Sequence, residues 1–225
     1  MATVRKRDFV EIDYSARTKE DNSLFDTTQE EVAKKEGVYD KDAHYHPSVI
    51  CLGENMLLGA VEEQLIGKET GKEYTMEVKA ADAFGNKNAQ LIQMIPMSKF
   101  RQQNIQPVPG LQLNIDGMFG IVKTAGGGRC YVDFNHPLAG KDLVYVVKLN
   151  KIIEDDKEKL KSILDSHFHV HDAGIELKEG IAVVSTATSV PKKAIEEIKE
   201  IVKRTLPDVK DIEFKAEGAA KQENN

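Results

Sequence analysis

Hydrophobic residues recur at every second position in several short stretches of this chain. Residues 10–15 and 74–78 alternate apolar with polar side chains, and Tyr145, Val147 and Leu149 recur at the same spacing. A period of two places the apolar side chains on one face of a β-strand, so each stretch predicts a half-buried strand. Residues 57–65 instead carry apolar residues at helical spacing. Several short strands and one amphipathic helix predict an α+β fold, with a curved antiparallel sheet around that helix.

Residues 88–133 differ in composition from the strands on either side, since Gln, Met, Pro and Ile dominate there. Residues 119–122 and 129–132 have the pattern of two strands, and Gly126-Gly127-Gly128 between them predicts a hairpin turn. No Gly-Lys-Ser/Thr follows these glycines, so we do not expect a phosphate-binding loop. We predict that residues 88–133 form a small β-rich domain, inserted into a first domain at 1–87 and 134–154.

A third pattern begins after residue 155. It predicts a helix near 160–164, strands near 175–177 and 181–184, a second helix near 194–202 and a closing strand near 212–214. We expect a C-terminal α/β domain over residues 155–225, frayed after about residue 216. The second helix has a strong apolar stripe, and the region is small for an independent core. These features predict a homodimer formed through this domain.

Charge and cysteine content exclude several classes of partner. The net charge of -6 at pH 7 argues against nucleic acid, because binding phosphates needs a basic stripe. No apolar run approaches the ~20 residues that span a bilayer, so no membrane partner is expected. No apolar segment follows the basic N-terminal residues, which argues against a secretory leader. Cys51 and Cys130 form no CxxC motif, which favours a reducing cytoplasm.

Six short motifs are weak individually but specific in their order and spacing. They are Ile12-Asp13-Tyr14, Leu24-Phe25-Asp26, Leu52-Gly53 with Leu57-Leu58, Ala81-Asp82-Ala83-Phe84-Gly85, Asn135-His136-Pro137-Leu138-Ala139-Gly140 and Leu143-Val144-Tyr145. From residue 1 to about residue 152 the chain resembles the FKBP-type peptidyl-prolyl isomerases. Within them it is similar to the SlyD-like subgroup, whose flap contains an inserted domain. With its third region, the chain also resembles the long-chain archaeal members of the family.

The resemblance implies an enzyme that accelerates X-Pro isomerisation in folding proteins and needs no cofactor. The family binds substrate in a cleft between its sheet and its central helix. By correspondence, the residues implied in catalysis are Tyr14, Asp26, Leu58, Phe84 and Tyr145. Those implied in substrate binding are Phe25, Leu57 and Val61, with His136 and Leu138 on the flap side.

Two positions depart from the family pattern. The family often has Tyr at the position of Phe84, and some members have Trp at the position of Val61. The first departure removes a hydroxyl group able to hydrogen bond to the substrate carbonyl. A holdase chaperone that retains the pocket but catalyses little is therefore an alternative function.

The inserted segment predicts a second, separate activity. Met94, Ile95, Met97 and Phe100 are close together in the sequence. Methionine adapts to varied partners, and an exposed apolar patch of this kind binds unfolded chains. We expect the insert to bind unfolded or partly folded polypeptides that contain X-Pro, which raises their concentration beside the pocket.

Three alternating histidines, His167, His169 and His171, leave a third function open. On a strand all three share one face, and on a helix the first and last are neighbours. A metal-binding accessory protein using this cluster is geometrically possible. Solvated or interface histidines are the simpler interpretation, and the chain lacks the long His- and Cys-rich tail of some SlyD-like proteins, so we predict no metal site.

Overall fold

The structure is a computed structural model, and it describes residues 1–168, 170, 173–187 and 189–216. In chain order the elements are β1 (Phe9–Thr18), β2 (Leu24–Thr27), α1 (Glu30–Lys35), β3 (Ser48–Cys51), α2 (Gly59–Leu65), β4 (Lys72–Val78), β5 (Ile92–Pro96), α3 (Met97–Gln102), β6 (Gln112–Ile115), β7 (Met118–Gly126), β8 (Arg129–Asp133), β9 (Leu143–Ile152), α4 (Asp156–Phe168), β10 (Gly174–Lys178), β11 (Ile181–Thr186), α5 (Lys192–Thr205) and β12 (Asp211–Ala216), with 3-10 helices at Ala80–Asp82 and Ala89–Leu91. This mixture of antiparallel sheets and few helices confirms the α+β class. Among the described residues, no helix is long and apolar enough to cross a bilayer.

The chain divides into two compact units. The first contains Met1–Arg17, Asn22–Glu77 and the part from Val144 onward, and the second contains Thr18–Asp21 and Val78–Leu143. The predicted insert therefore lies in one unit with the flap residues on either side of it. The C-terminal region lies in one unit with the first sheet. The division into three domains stays a prediction.

Strand β1 is central to the sheet of the first unit. That sheet has the order β2-β1-β9-β4, with β3 also paired to β1. The alternation along β1 places Val10 and Ile12 on one face and Phe9 on the other, and all three are buried. Both faces of this strand are therefore covered in its first half.

The C-terminal region forms a three-stranded sheet with two helices. Strands β10 and β11 are antiparallel, and β11 and β12 are parallel, with α5 connecting them in the chain. A single core joins Leu160 of α4 and Ile198 and Val202 of α5 to Phe9 and Cys51 of the first sheet. The apolar stripe that suggested a homodimer is thus covered within one chain. The homodimer stays a prediction, without that support.

The second unit is built on a four-stranded sheet with the order β5-β8-β7-β6. Its core contains Phe100, Val122, Cys130 and Val132. Strands β7 and β8 form the predicted hairpin, with Gly126 paired to Arg129. The two residues between them, Gly127 and Gly128, have φ values of 57° and 77°. Two successive positive φ values are typical of the type I′ turn, which explains the glycines at these positions.

Gly120 on β7 has no space for a side chain. An added Cβ atom would lie 2.6 Å from Val132 Cγ1 and 2.8 Å from two ring carbons of Phe134. We expect Gly120→Ala to lower the stability of this sheet by about 1–3 kcal/mol, because the packed core must shift. Hydrogen exchange at the amides of β7 and β8 measures the change. Gly126→Ala is the matched control, since a Cβ there meets nothing within 4 Å. Similar losses in both variants would contradict the prediction.

Candidate active site

Tyr14 and Asp26 form a hydrogen-bonded pair on neighbouring strands. Strands β1 and β2 are antiparallel, with Ala16 opposite Asp26. Tyr14 precedes Ala16 by two residues, so its side chain lies on the same face as Asp26. The Tyr14 hydroxyl donates to Asp26 Oδ2 over 2.8 Å. Burial and then the Asp26 charge raise the pKa of Tyr14 well above its usual value, so the hydroxyl remains a donor at neutral pH.

Two further aromatic rings, those of Phe25 and Tyr145, lie beside this pair. The ring of Tyr145, on β9, lies with its centroid 6.1 Å from that of Tyr14 and 6.1 Å from that of Phe25. The Phe25 and Tyr145 rings meet edge to face at 79°, which is a favourable aromatic geometry. Burial, together with the Asp26 charge, raises the pKa of Tyr145 to about 12. Tyr145 is 3% exposed, so the accessible part of the cluster is formed by the half-buried Tyr14 and Phe25, beside the exposed carboxylate of Asp26.

A cavity of about 270 Å³ adjoins Phe25 and Asp26. Its remaining walls come from Leu24, Thr27, Ala33, Val38, Asp40, Ala43, His44 and Tyr45. The loop after α1 is ordered by stacking of Tyr39 on Tyr45 at 5.5 Å and by a hydrogen bond from Asp40 N to the Tyr45 hydroxyl. The sequence motifs do not predict this wall. The two tyrosines six residues apart were the only signal for it in an otherwise polar loop.

Glu62 holds the loop that carries Leu57 and Leu58. The two leucines are half-buried, whereas Val61 on α2 is fully buried. Glu62 is 1% exposed, and its carboxylate accepts three backbone hydrogen bonds. Oε1 accepts from Leu57 N over 2.7 Å, and Oε2 accepts from Gly53 N and Asn55 N over 2.7 and 3.1 Å. One buried charge therefore fixes the conformation of the whole loop.

Sequence reasoning missed Glu62, because a Glu62-Glu63 pair on an amphipathic helix resembles a solvated face. The missed signal lay in the loop before the helix. Gly53 and Asn55 both have positive φ, 94° and 56°. A turn of this kind directs several amides to one side, where an acceptor is needed.

The three residues predicted on the flap side, Phe84, His136 and Leu138, lie in the second unit. The Phe84 ring is 37% exposed and stacks on His136, with centroids 4.4 Å apart and planes at 6°. His136 Nδ1 accepts a hydrogen bond from Leu138 N over 3.2 Å. Phe84 and His136 thus form one flat surface, and the tight turn at Leu138 holds the imidazole in place.

The same motif contains a polar clamp at the base of the insert. Asn88 N donates to Asn135 Oδ1 over 2.8 Å, and Asn135 Nδ2 donates back to Asn88 O over 3.0 Å. Buried Asp133 accepts from the backbone and side-chain amides of Asn135. Burial alone would raise the pKa of Asp133, but these hydrogen bonds, with Lys87 and Lys123, lower it. The clamp joins the segments that enter and leave the insert.

The four residues predicted to bind unfolded chains divide between surface and core. Met94 is 49% exposed on β5. Ile95 and Met97 are half-buried against the core of the insert, and Phe100 belongs to that core. Phe100 is the one buried residue of α3, and its side chain points into the core of the insert. The predicted contact of Phe100 with unfolded chains therefore does not fit the structure. Other exposed apolar residues of this unit are Leu91, Val108, Met118, Phe119 and Tyr131.

The histidine cluster is only partly within the described structure. His169 and His171 lie outside the described residues. His167, near the end of α4, is half-buried, and its Nε2 atom has no hydrogen-bond partner among the residues that the structure describes. Burial lowers its pKa, so the neutral imidazole is favoured. Over the described ranges, no group of three or more His, Cys, Asp or Glu side chains is arranged for a metal ion.

Comparison with known proteins places the chain in a family. Residues 93–138 match the family model described as FKBP26, IF domain. A short-type peptidyl-prolyl cis-trans isomerase of Methanocaldococcus jannaschii is 30% identical over 155 residues, 69% of this chain and 98% of that protein. A probable FKBP-type 16 kDa isomerase of Pseudomonas fluorescens is 34% identical over 108 residues, 46% of this chain and 71% of that protein.

A third relative, the FKBP-type isomerase SlyD of Vibrio cholerae, is 29% identical over 126 residues, 54% of this chain and 60% of that protein. These matches show that the chain is an enzyme of the peptidyl-prolyl cis-trans isomerase class. More narrowly, the chain belongs to the FKBP-type family, among the SlyD-like members with an insert domain.

Because Glu62 satisfies three amides, Glu62→Gln is expected to lower the free energy of unfolding by about 1.5–3 kcal/mol. The amide group of glutamine offers one acceptor oxygen, so a loop amide is left unsatisfied. Hydrogen exchange at the amides of Gly53, Asn55 and Leu57 should accelerate. Glu63→Gln is the control, because Glu63 is the exposed neighbour on the same helix. Unchanged exchange in Glu62→Gln would show that the carboxylate is not required.

Proposed function

We propose that this isomerase binds the prolyl residue against the aromatic cluster of Tyr14, Phe25 and Tyr145, beside Asp26. The single observation that carries the proposal is the convergence of these rings from three strands on one exposed carboxylate. Such a surface buries an apolar ring and keeps one polar group for orientation. The half-buried Leu57 and Leu58 supply the aliphatic side of the proposed site, whereas Val61 is fully buried and does not fit the predicted contact with substrate.

Rotation about an X-Pro bond needs no nucleophile and no cofactor. Amide resonance makes the barrier ~18–20 kcal/mol, and the twisted amide loses that resonance. The planar amide is the more polar form, and water stabilises it by hydrogen bonding. An apolar site therefore favours the twisted form relative to water, and catalysis consists of binding that form more tightly.

Asp26 has the more specific role in this proposal. As the carbonyl preceding proline swings out of plane, the carbon end of its dipole is attracted to the carboxylate. The Tyr14 hydroxyl holds one carboxylate oxygen at 2.8 Å and so orients the other. The family resemblance assigns Phe84, His136 and Leu138 to the flap side of the same substrate site, and this remains a prediction. Phe84 supplies apolar surface there but no hydroxyl.

A chaperone activity of the insert is the second part of the proposal. Met94 on β5 and Tyr131 on β8 are directly opposite each other in the sheet, and both are exposed. Cross-strand partners point to the same face, so the two side chains form a continuous apolar surface. We propose that this face, with the insert at residues 88–133 acting as a separate domain, holds unfolded chains that contain X-Pro.

Homodimer formation and a cytoplasmic location also remain predictions. The stripe on α5 no longer supports the dimer, because it lies in the core of the same chain. Strand β10 offers a different surface, since it is an edge strand whose Leu177 is partly exposed. An unpaired strand edge is a template for pairing with a second chain.

Asp26→Ala and Tyr14→Phe should both lower kcat/KM on a proline-containing tetrapeptide. For Asp26→Ala we expect about a tenfold loss, equivalent to ~1.4 kcal/mol of transition-state stabilisation. Tyr14→Phe should lower kcat/KM less, because it removes only the hydrogen bond that holds the Asp26 carboxylate in place. Protease-free measurement of cis-to-trans turnover tests both, with Glu73→Ala as a control carboxylate outside the cluster. Unchanged turnover in both variants rejects the assignment, whereas little turnover by the parent protein with retained chain binding favours the holdase alternative.

Met94→Ser combined with Tyr131→Ser should separate the two activities. We expect tetrapeptide turnover within about twofold of the parent but a severalfold slower catalysis of proline-limited protein refolding, because only the unfolded chain uses the second surface. The control pair is Ile66→Ser with Leu177→Ser, which removes exposed apolar side chains from the first unit. Equal losses in the peptide and refolding assays, or none in either, would contradict the chaperone proposal.

A further inference from the structure

A charged pair within the first unit joins the C-terminal helix α5 to the loop before α2. Arg204 Nε and Nη2 lie 2.8 and 2.6 Å from Glu54 Oε2, across a separation of 150 residues in the sequence. The side chain of Glu54 is 8% exposed, whereas that of Arg204 is 48% exposed. The pair therefore differs from the surface ion pairs of this chain, because the carboxylate is almost entirely removed from water.

The burial of Glu54 makes its partner important. A buried carboxylate is strongly disfavoured unless it is paired and hydrogen-bonded, and removing one partner leaves an uncompensated charge. Arginine is suited to this role because its guanidinium stays protonated and presents several donors in a fixed plane. Without Arg204, Glu54 is expected to move toward solvent, and its backbone would move with it.

The backbone of Glu54 is part of the loop that Glu62 organises. Gly53 and Asn55, on either side of Glu54, both donate to the Glu62 carboxylate. Leu57 N donates to the same carboxylate, so a displacement at Glu54 is transmitted to the leucines of the proposed prolyl site. The loop is thus held from two sides, by α2 through Glu62 and by α5 through Arg204.

Apolar packing supports the same connection. Cys51 belongs to the core that contains Ile198 and Val202 of α5, and Met56 packs against that core. Cys51 N donates to Met56 Sδ over 3.1 Å, which links the two ends of the loop. The segment from residue 51 to residue 56 therefore has the C-terminal region as one of its packing partners.

We propose that Arg204 is a positioning residue for the isomerase site, through which the C-terminal region sets the conformation of the Leu57–Leu58 wall. The C-terminal region then contributes to turnover of even a short peptide that is too small to need a second binding surface. The inference rests on the proposed prolyl site, because it assigns Leu57 and Leu58 to that site.

The test is tetrapeptide turnover by the full chain with Arg204→Met, Arg204→Lys and the charge reversal Glu54→Arg with Arg204→Glu. We expect kcat/KM to fall about fivefold or more in Arg204→Met, to fall less in Arg204→Lys, and to recover partly in the charge reversal. Lys199→Met is the matched control. It breaks the ion pair of Lys199 with Asp211, 2.7 Å long, on the same helix but away from the loop.

If Arg204→Met unfolds, Glu54→Gln with Arg204→Met removes the uncompensated charge and serves in its place. Reduced turnover in this folded double variant supports the positioning role, and turnover equal to that of Lys199→Met overturns it. Faster exchange of the Leu57 amide should accompany the loss. Tyr14→Phe and Asp26→Ala in the same assay distinguish the two proposals. If those variants are fully active the prolyl site is wrong, whereas full activity of the Arg204 variants alone rejects only the coupling.

Discussion

The position of β1 between its neighbours is the constraint on which the rest of this structure depends. Its edges pair with β2, β3 and β9, so three distant segments take their register from one strand. Alternation along β1 assigns Tyr14 to the face that carries Asp26 and assigns Phe9 to the opposite face. A shift of β1 by one residue would move Tyr14 away from the Asp26 carboxylate and would at the same time expose Phe9. The aromatic cluster and the C-terminal core are therefore coupled through a single register.

Two buried carboxylates organise the segments that β1 does not reach. Glu62 accepts hydrogen bonds from the backbone amides of the loop before α2, and Asp133 accepts hydrogen bonds from Asn135 at the base of the insert. In both cases a charge accepts hydrogen bonds from groups that irregular backbone would otherwise leave unpaired. This arrangement suits segments that lack strand or helix hydrogen bonds but still need one defined conformation. Both carboxylates act on positions next to residues that we assign to substrate.

The proposed mechanism requires shape and polarity more than reactive groups. Lowering the barrier of amide rotation depends on an apolar surface, a fixed carboxylate and walls that do not move, since the twisted amide differs from the planar one mainly in geometry and dipole. Residues that hold these walls in place therefore matter as well as the residues that contact substrate. Glu62 and Arg204 have this kind of position, because they hold a wall and need not touch the substrate.

The sequence by itself determined most of the strands, but not β5 or β6, together with the α5 helix, the hairpin at Gly127-Gly128 and the family, because hydrophobic period, turn residues and motif spacing are local properties. It also predicted that Tyr14, Phe25, Asp26 and Tyr145 belong together, since the resemblance supplied the topology. Only the tertiary structure decided that Phe100 lies in the insert core, that Glu62 is buried and that the α5 stripe lies in one core with Phe9 and Cys51. In each case the sequence pattern indicates that an apolar or charged side chain needs a packing or hydrogen-bonding partner. Which distant segment supplies that partner depends on long-range contacts, which no local pattern encodes.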